Sequence, residues 1–208
     1  MKLNNNYRAW IIVGLRIALC ILCAGNYLNR EQSQLADKMI RLHVVANSDT
    51  DEDQAFKLQV RDVVLQEVSQ ILEQAQAEQI NPKDAIGGNL DRIYEAAQDF
   101  VESNGNGEAV TVSLKKELFP TRDYDTFSLP SGVYTALRVN IGQAQGHNWW
   151  CVVFPNLCMT ASMEELEDAA SVAGLSDGEV RLITEESEGY VLKFKSIEIL
   201  QSIKNYFG

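Results

Sequence analysis

The sequence predicts a single α+β domain, with about five strands in a mixed or antiparallel sheet and about four helices. Three observations predict it. Runs that alternate apolar and polar residues at strand period stand on either side of a long stretch at helical period. The 208 residues are 46% hydrophobic and 23% charged, which are globular values and enough chain for one sizeable core. No Pro- or Ser-rich joint and no internal repeat divides the chain.

The first 25 residues stand apart. Lys2 and Arg8 form a short positive region, followed by the mostly apolar "AWIIVGLRIALCILCAG". Arg16 interrupts this run, which makes it a poor permanent span and an adequate secretory signal. Cys23-Ala24-Gly25 supplies the small residues of a cleavage site. The expected organisation is therefore 1–25 as signal peptide or N-terminal anchor, and 26–208 as one secreted α+β domain.

"DKMIRLHVVAN" (37–47) reads as a strand in which Ile40, Leu42 and Val44 alternate with Arg41, His43 and Val45. The polar side of that strand is read as a lining or an edge. "NSD" at 47–49 ends it and offers N-cap side chains. The helix that follows places Phe56, Val60, Val63, Val64, Val68, Ile71, Leu72 and Ala75 near the 3.6-residue period. Asp51, Glu52 and Asp53 suit the positive end of its dipole.

A second helix is expected from Asn81-Pro82 to about Ser103, kinked at Gly87-Gly88 and stopped by "NGNG". Residues 109–117 alternate like a strand, and "FPTRDYDTFSLPSG" (119–132) reads as a loop. The clearest hairpin signal joins 133–141 to 148–154 through "GQAQGH". One more helix is expected within "SMEELEDAASVAG", then a short strand and a closing helix in "GYVLKFKSIEILQSIKNYF".

A formal charge of −11 excludes the basic footprint that nucleic acid requires. Without residues 1–25 the balance is 15 basic to 29 acidic residues, a net of −14. Such a domain is soluble and repelled by anionic lipid, so membrane contact is expected only through an uncleaved N-terminal segment. Specific contacts must bring it to a partner.

"GHNWWCVVFPNLC" (146–158) gathers a histidine, two tryptophans and two cysteines. On an extended strand Trp149 and Cys151 share one face and Trp150 and Val152 the other. His147 and Cys151 would lie roughly 13 Å apart, too far for a nucleophile and its base. His43 is the other histidine that could serve Cys151. Cys151 and Cys158 form an even pair in an oxidising compartment, either bridged across a wide loop or present as two buried thiols. No catalytic residue, cofactor or metal set is assigned. "DTDEDQ" (49–54) lacks the glycine and closing glutamate of a calcium loop and reads as an acidic helix start. The candidate partner-binding residues are Arg41, His43, Asn47, Asp49, Asp53, His147, Asn148, Trp149 and Trp150, polar or aromatic groups where a core needs neither.

Two segments, "RLHVVANSDTDEDQAFKLQVRD" (41–62) and "LPSGVYTALRVNIGQAQGHNWWCVVFPNLC" (129–158), closely resemble the stage II sporulation protein R family. Asn156 departs from the second proline expected there. The resemblance implies a protein made in the forespore and exported into the space between forespore and mother-cell membranes. It implies as partner the membrane-embedded aspartic protease that processes pro-sigma-E, with the chain as activator and not itself an enzyme. The rival readings are a secreted thiol-dependent hydrolase of peptide or cell wall, using Cys151 with His43 or His147, and a structural protein of the septal space.

Overall fold

A computed structural model describes residues 5–104, 107–157 and 162–184 of the chain. Helix α1 (Asn5–Asp37) runs unbroken through the boundary expected at residue 25. Trp10, Ile11, Ile12, Val13, Leu15 and Leu19 are exposed on it, whereas Gln32, Leu35 and Ala36 near its end are buried. Among the described residues no helix is long and apolar enough to cross a membrane. The negative C-terminal end of α1 is held by lysines: Lys116 Nζ donates to Asp37 Oδ1 at 2.8 Å, and Lys83 Nζ donates to the Asp37 carbonyl.

Strand β1 (Ile40–Val45) is buried at all six positions because it is a central strand. The edge reading of its Arg41/His43 side is thereby corrected. After it come α2 (Asp51–Glu78), α3 (Pro82–Gly88) and α4 (Leu90–Ser103). The cap of α2 is Thr50, one residue beyond "NSD", whose hydroxyl accepts from Asp53 N at 3.3 Å. Asn81 caps α3 ahead of Pro82, as expected. The predicted second helix is divided at Asn89, not kinked at Gly87-Gly88; the Asn89 side chain donates to the Ala85 carbonyl at 2.8 Å and ends the first segment.

The remaining strands are β2 (Val110–Phe119), β3 (Arg122–Asp123), β4 (Ser128–Leu129), β5 (Gly132–Ile141) and β6 (Asn148–Phe154), followed by α5 (Met163–Val172) and α6 (Asp177–Thr184). β3 and β4 form a small ribbon inside the segment expected to be loop. The final strand and helix expected after residue 188 lie outside the described residues.

The sheet order is β2-β5-β1-β6. β1 pairs parallel with β5 and antiparallel with β6. The predicted hairpin is therefore not a hairpin: both strands form where expected, but β1 lies between them. The connector explains this. "GQAQGH" is six residues, longer than the two to five of ordinary hairpin loops, and strands two places apart are only about 10 Å distant.

One face of the sheet carries Ile40, Leu42, Val44, Leu137, Val139, Ile141, Cys151 and Val153 and is covered by α2, α3 and α4. The α2 stripe Val60, Val64, Val68, Ile71 and Ala75 lies against it, each large side chain contributing roughly 1.5–3 kcal/mol relative to exposure. The second face carries Phe119, Tyr134, Ala136 and Val152. It is covered by the end of α1 (Leu35, Ala36) and Met39 just after it, the ribbon segment (Phe127, Leu129), and α5 and α6 (Leu166, Ala170, Leu182, Ile183).

Candidate functional site

The β5–β6 connector steps over the C-terminal end of β1, and this brings Asn47, Asp49, Asp53, His147 and Asn148 into one place. Four of the loop's backbone donors bond to the segment it crosses. Gln143 N donates to Asn47 Oδ1 at 3.0 Å, Gln145 N to the Asn47 carbonyl at 3.1 Å, and Gly146 N to the Ala46 carbonyl at 3.0 Å. His147 N donates to Asp49 Oδ1 at 2.6 Å, and its Nδ1 meets the same carboxylate. The approach is so close that a Cβ on Gly146 would run into the Ser48 carbonyl. Gly142, at φ +56°, has the Asn47 side chain where its Cβ would be.

Beneath the crossing, Asp53 accepts from Asn47 Nδ2 at 3.1 Å and from the Ser48 hydroxyl. These bonds, the Ser48 bond first, hold its carboxyl below the usual range. Burial pushes the neighbouring Glu108 carboxyl up, the Asp53 charge adds to it, and a bond from Asn47 opposes it. Lys57 is buried on α2 and donates to the His147 carbonyl at 2.9 Å and to Gln54 Oε1 at 2.5 Å. Burial lowers its pKa, with Asp49 opposing. Sequence reasoning passed over Lys57, although its place three residues before Val60 put a cation in the apolar stripe.

Most of this cluster is engaged in holding the crossing, and what it offers outward is the Asp49–His147 pair, with side chains 54% and 79% exposed. Asn148 opens β6 opposite Val45 and is exposed. Trp149 stands next to it on the helix-covered face, 37% exposed, with the Arg61 guanidinium 4.5 Å from its ring centroid. Together they form a polar-aromatic ridge at one end of the sheet.

Trp150 takes the opposite face, as the strand period requires. It stacks on His43, its register partner on β1, and meets Phe119 edge-on at 4.7 Å. His43 Nδ1 lies 3.0 Å from Glu117 Oε2. Burial alone would raise the Glu117 carboxyl, but the His43 bond and the Arg138 charge outweigh it and set it below the usual range. Arg41 is fully buried, its guanidinium 4.2 Å from the Phe119 centroid and 5.0 Å from that of Tyr134. Arg41, His43 and Trp150 therefore form an interior lane separate from the exposed ridge. Glu117 and Phe119 come from β2, with β5 between them and β1, so no local signal announces them.

Cys151 is disulfide-bonded and buried beside Leu42. Cys158 lies outside the described residues, and Cys20 and Cys23 are exposed free thiols. Cys151 and His43 project from opposite faces of the sheet, and Cys151 holds no free thiol, so the Cys151–His43 pair of the rival reading is not formed. Among the described residues no group of three or more His, Cys, Asp or Glu side chains is arranged to hold a metal ion.

Residues 36–164 match the family model for stage II sporulation protein R. The chain is also 35% identical over 124 residues to the stage II sporulation protein R of Bacillus subtilis (strain 168). That alignment covers 60% of this chain and 55% of the relative, so the chain spans about half the length of that protein. No solved structure matches. The matched span contains the whole sheet, the crossing and the interior lane. The chain belongs to the stage II sporulation protein R family.

Proposed function

We propose that this chain is an exported signalling protein of sporulation, released from the forespore to activate the membrane-embedded aspartic protease that processes pro-sigma-E. Family membership is the observation that carries this reading. Three features support it. The exposed apolar start of α1 suits a secretory signal or anchor. A disulfide-bonded Cys151 suits an oxidising compartment. The net charge of −11 suits a diffusible domain that binds by specific contacts.

The contact surface in this reading is the ridge of Asp49, His147, Asn148 and Trp149. Rigid support beneath it, from Lys57, Asn47 and Asp53, keeps the ridge preorganised, so binding need not order a loop. An activator works only if it binds the active receptor more tightly than the resting one. The test is a reconstitution in which residues 26–208, and in parallel the full chain, are supplied outside membranes carrying the protease. Pro-sigma-E processing that requires the protease's catalytic aspartate and survives Cys151→Ser supports the ligand. A folded protein that elicits no processing in either form overturns it.

A further inference from the structure

Arg41 is 0% exposed, and among the described residues its one side-chain hydrogen bond is Nη2 to the Tyr124 hydroxyl at 2.7 Å. Nε and Nη1 have no hydrogen-bond partner among the described residues. Its register neighbours are Ala136 on β5 and Val152 on β6, whose side chains accept nothing. Two residues along the same face, about 7 Å away along the strand, His43 is 4% exposed and its Nε2 is also unpartnered. Buried donors are ordinarily satisfied, and a buried cation is ordinarily paired. The Phe119 and Tyr134 rings supply cation–π contact to Arg41 but take up none of its N–H groups.

We propose that the Arg41–His43 lane is a binding site for a carboxylate, from a small organic acid or from an acidic side chain of a partner peptide. The charge balance selects the class. Arg41 offers one positive charge, and the nearby acid Glu117 is already engaged by His43 and Arg138. A monoanion is the least charge that pairs Arg41, and the two oxygens of a carboxylate match the free N–H groups of its planar fork. The aromatic surround of Phe119, Tyr134, Tyr124 and Trp150 limits water, which strengthens charge-assisted bonds from the guanidinium to a carboxylate's oxygens.

Entry is gated by Tyr124. It sits where the ribbon turns, stacked on Phe127 at 4.5 Å, in a ribbon of only two paired positions. Arg122 and Asp125 on either side of it are exposed. A turn of the Tyr124 side chain away from Arg41 frees Nη2 and opens the lane beside Trp150, over which Arg122 lies at 5.6 Å.

The experiment follows the Arg41 Nε–H resonance by NMR and the Tm of the full chain. The titrants are sodium acetate and a glutamate-containing pentapeptide blocked at both ends, with sodium chloride and sodium phosphate at matched ionic strength as controls. The expected result is a saturable shift of Nε–H with at least one carboxylate, a rise in Tm with it, and neither effect with the controls. Response to the peptide alone assigns the occupant to a partner chain; response to acetate as well assigns it to free carboxylates. Arg41→Met, near in volume and apolar, identifies the resonance and should lose the Tm response. Tyr124→Phe removes the competing bond and should bind about threefold or more tightly. Equal shifts with chloride or phosphate overturn the site. So does a flat response to both carboxylates, or an affinity unchanged by Tyr124→Phe, the last deciding the matter even if Arg41→Met does not fold.

Discussion

His43 and Trp150 lie face to face across the β1–β6 pair, ring centroids 4.0 Å apart and planes 16° from parallel. The contact exists because β1 is inserted between two strands that the sequence joins directly. It also separates the roles of two adjacent tryptophans, one embedded against a histidine and one standing at the rim.

Trp150→Ala should destabilise the fold by about 3 kcal/mol, the low end for losing a large aromatic, since Trp150 is only part-buried. Trp149→Ala should cost about 1 kcal/mol or less, as expected of a more exposed site, while reducing protease activation several-fold. Urea unfolding and the reconstituted processing assay, run on the same two variants, check the division. Equal stability losses with unchanged activation by Trp149→Ala would contradict it.

Lys57→Met removes the tie from α2 to the His147 carbonyl and leaves that acceptor unpaired. The expected loss is roughly 1–3 kcal/mol. It should be concentrated in the crossing, so hydrogen exchange at residues 142–148 should accelerate more than exchange within β5.

Glu108 and Asp53 share Asn47 and should respond to pH with opposite signs. Burial first, and then the Asp53 charge, raise the folded Glu108 pKa above its usual 4.5. Its contribution is therefore favourable below the unfolded value and is lost as pH rises through the folded one. Glu108→Gln should raise Tm at pH 7 and lose that advantage below about pH 4. Asp53 is lowered from 3.8, chiefly by the Ser48 hydroxyl, so its contribution is present above that value and is lost as pH falls through the folded value. Asp53→Asn should lower Tm at pH 7. Melting curves from pH 3 to 8 separate the two.

Reduction of the Cys151 disulfide, or Cys151→Ser, should lower stability by about 2–4 kcal/mol. At temperatures where the variant stays folded, activation should persist. A loss of activation in a fully folded Cys151→Ser variant would contradict this and assign the disulfide a direct part in shaping the contact surface.

Much of this fold was legible from local pattern. β1, α2 and its buried stripe, the Asn81-Pro82 start and the opposite facing of Trp149 and Trp150 all follow from period and capping. Where partners are distant in sequence, the pattern is silent. Alternation marks β5 and β6 as strands but does not record that β1 separates them, and it made Arg41 and His43 resemble an edge. Asn47, Asp49, Asp53, His147 and Asn148, candidate contact residues by their type, do converge. Their hydrogen bonds show that much of their chemistry is spent on the crossing itself. The short ribbon at Arg122–Asp123 and Ser128–Leu129 is held by Tyr124, Phe127 and Leu129 packing on distant residues, and two paired positions leave no periodic signal.

The insertion of β1 also bears on the order in which the molecule can assemble. Both neighbours of this first strand are encoded after residue 131, and the connector that locks over its end comes later than β5. A chain that emerges N-terminus first must carry β1 unpaired until most of its length is available. Long-range pairing of this kind delays commitment to the native state. For a protein that crosses a membrane as proposed, such late commitment keeps the polymer threadable during transit and reserves folding for the far side.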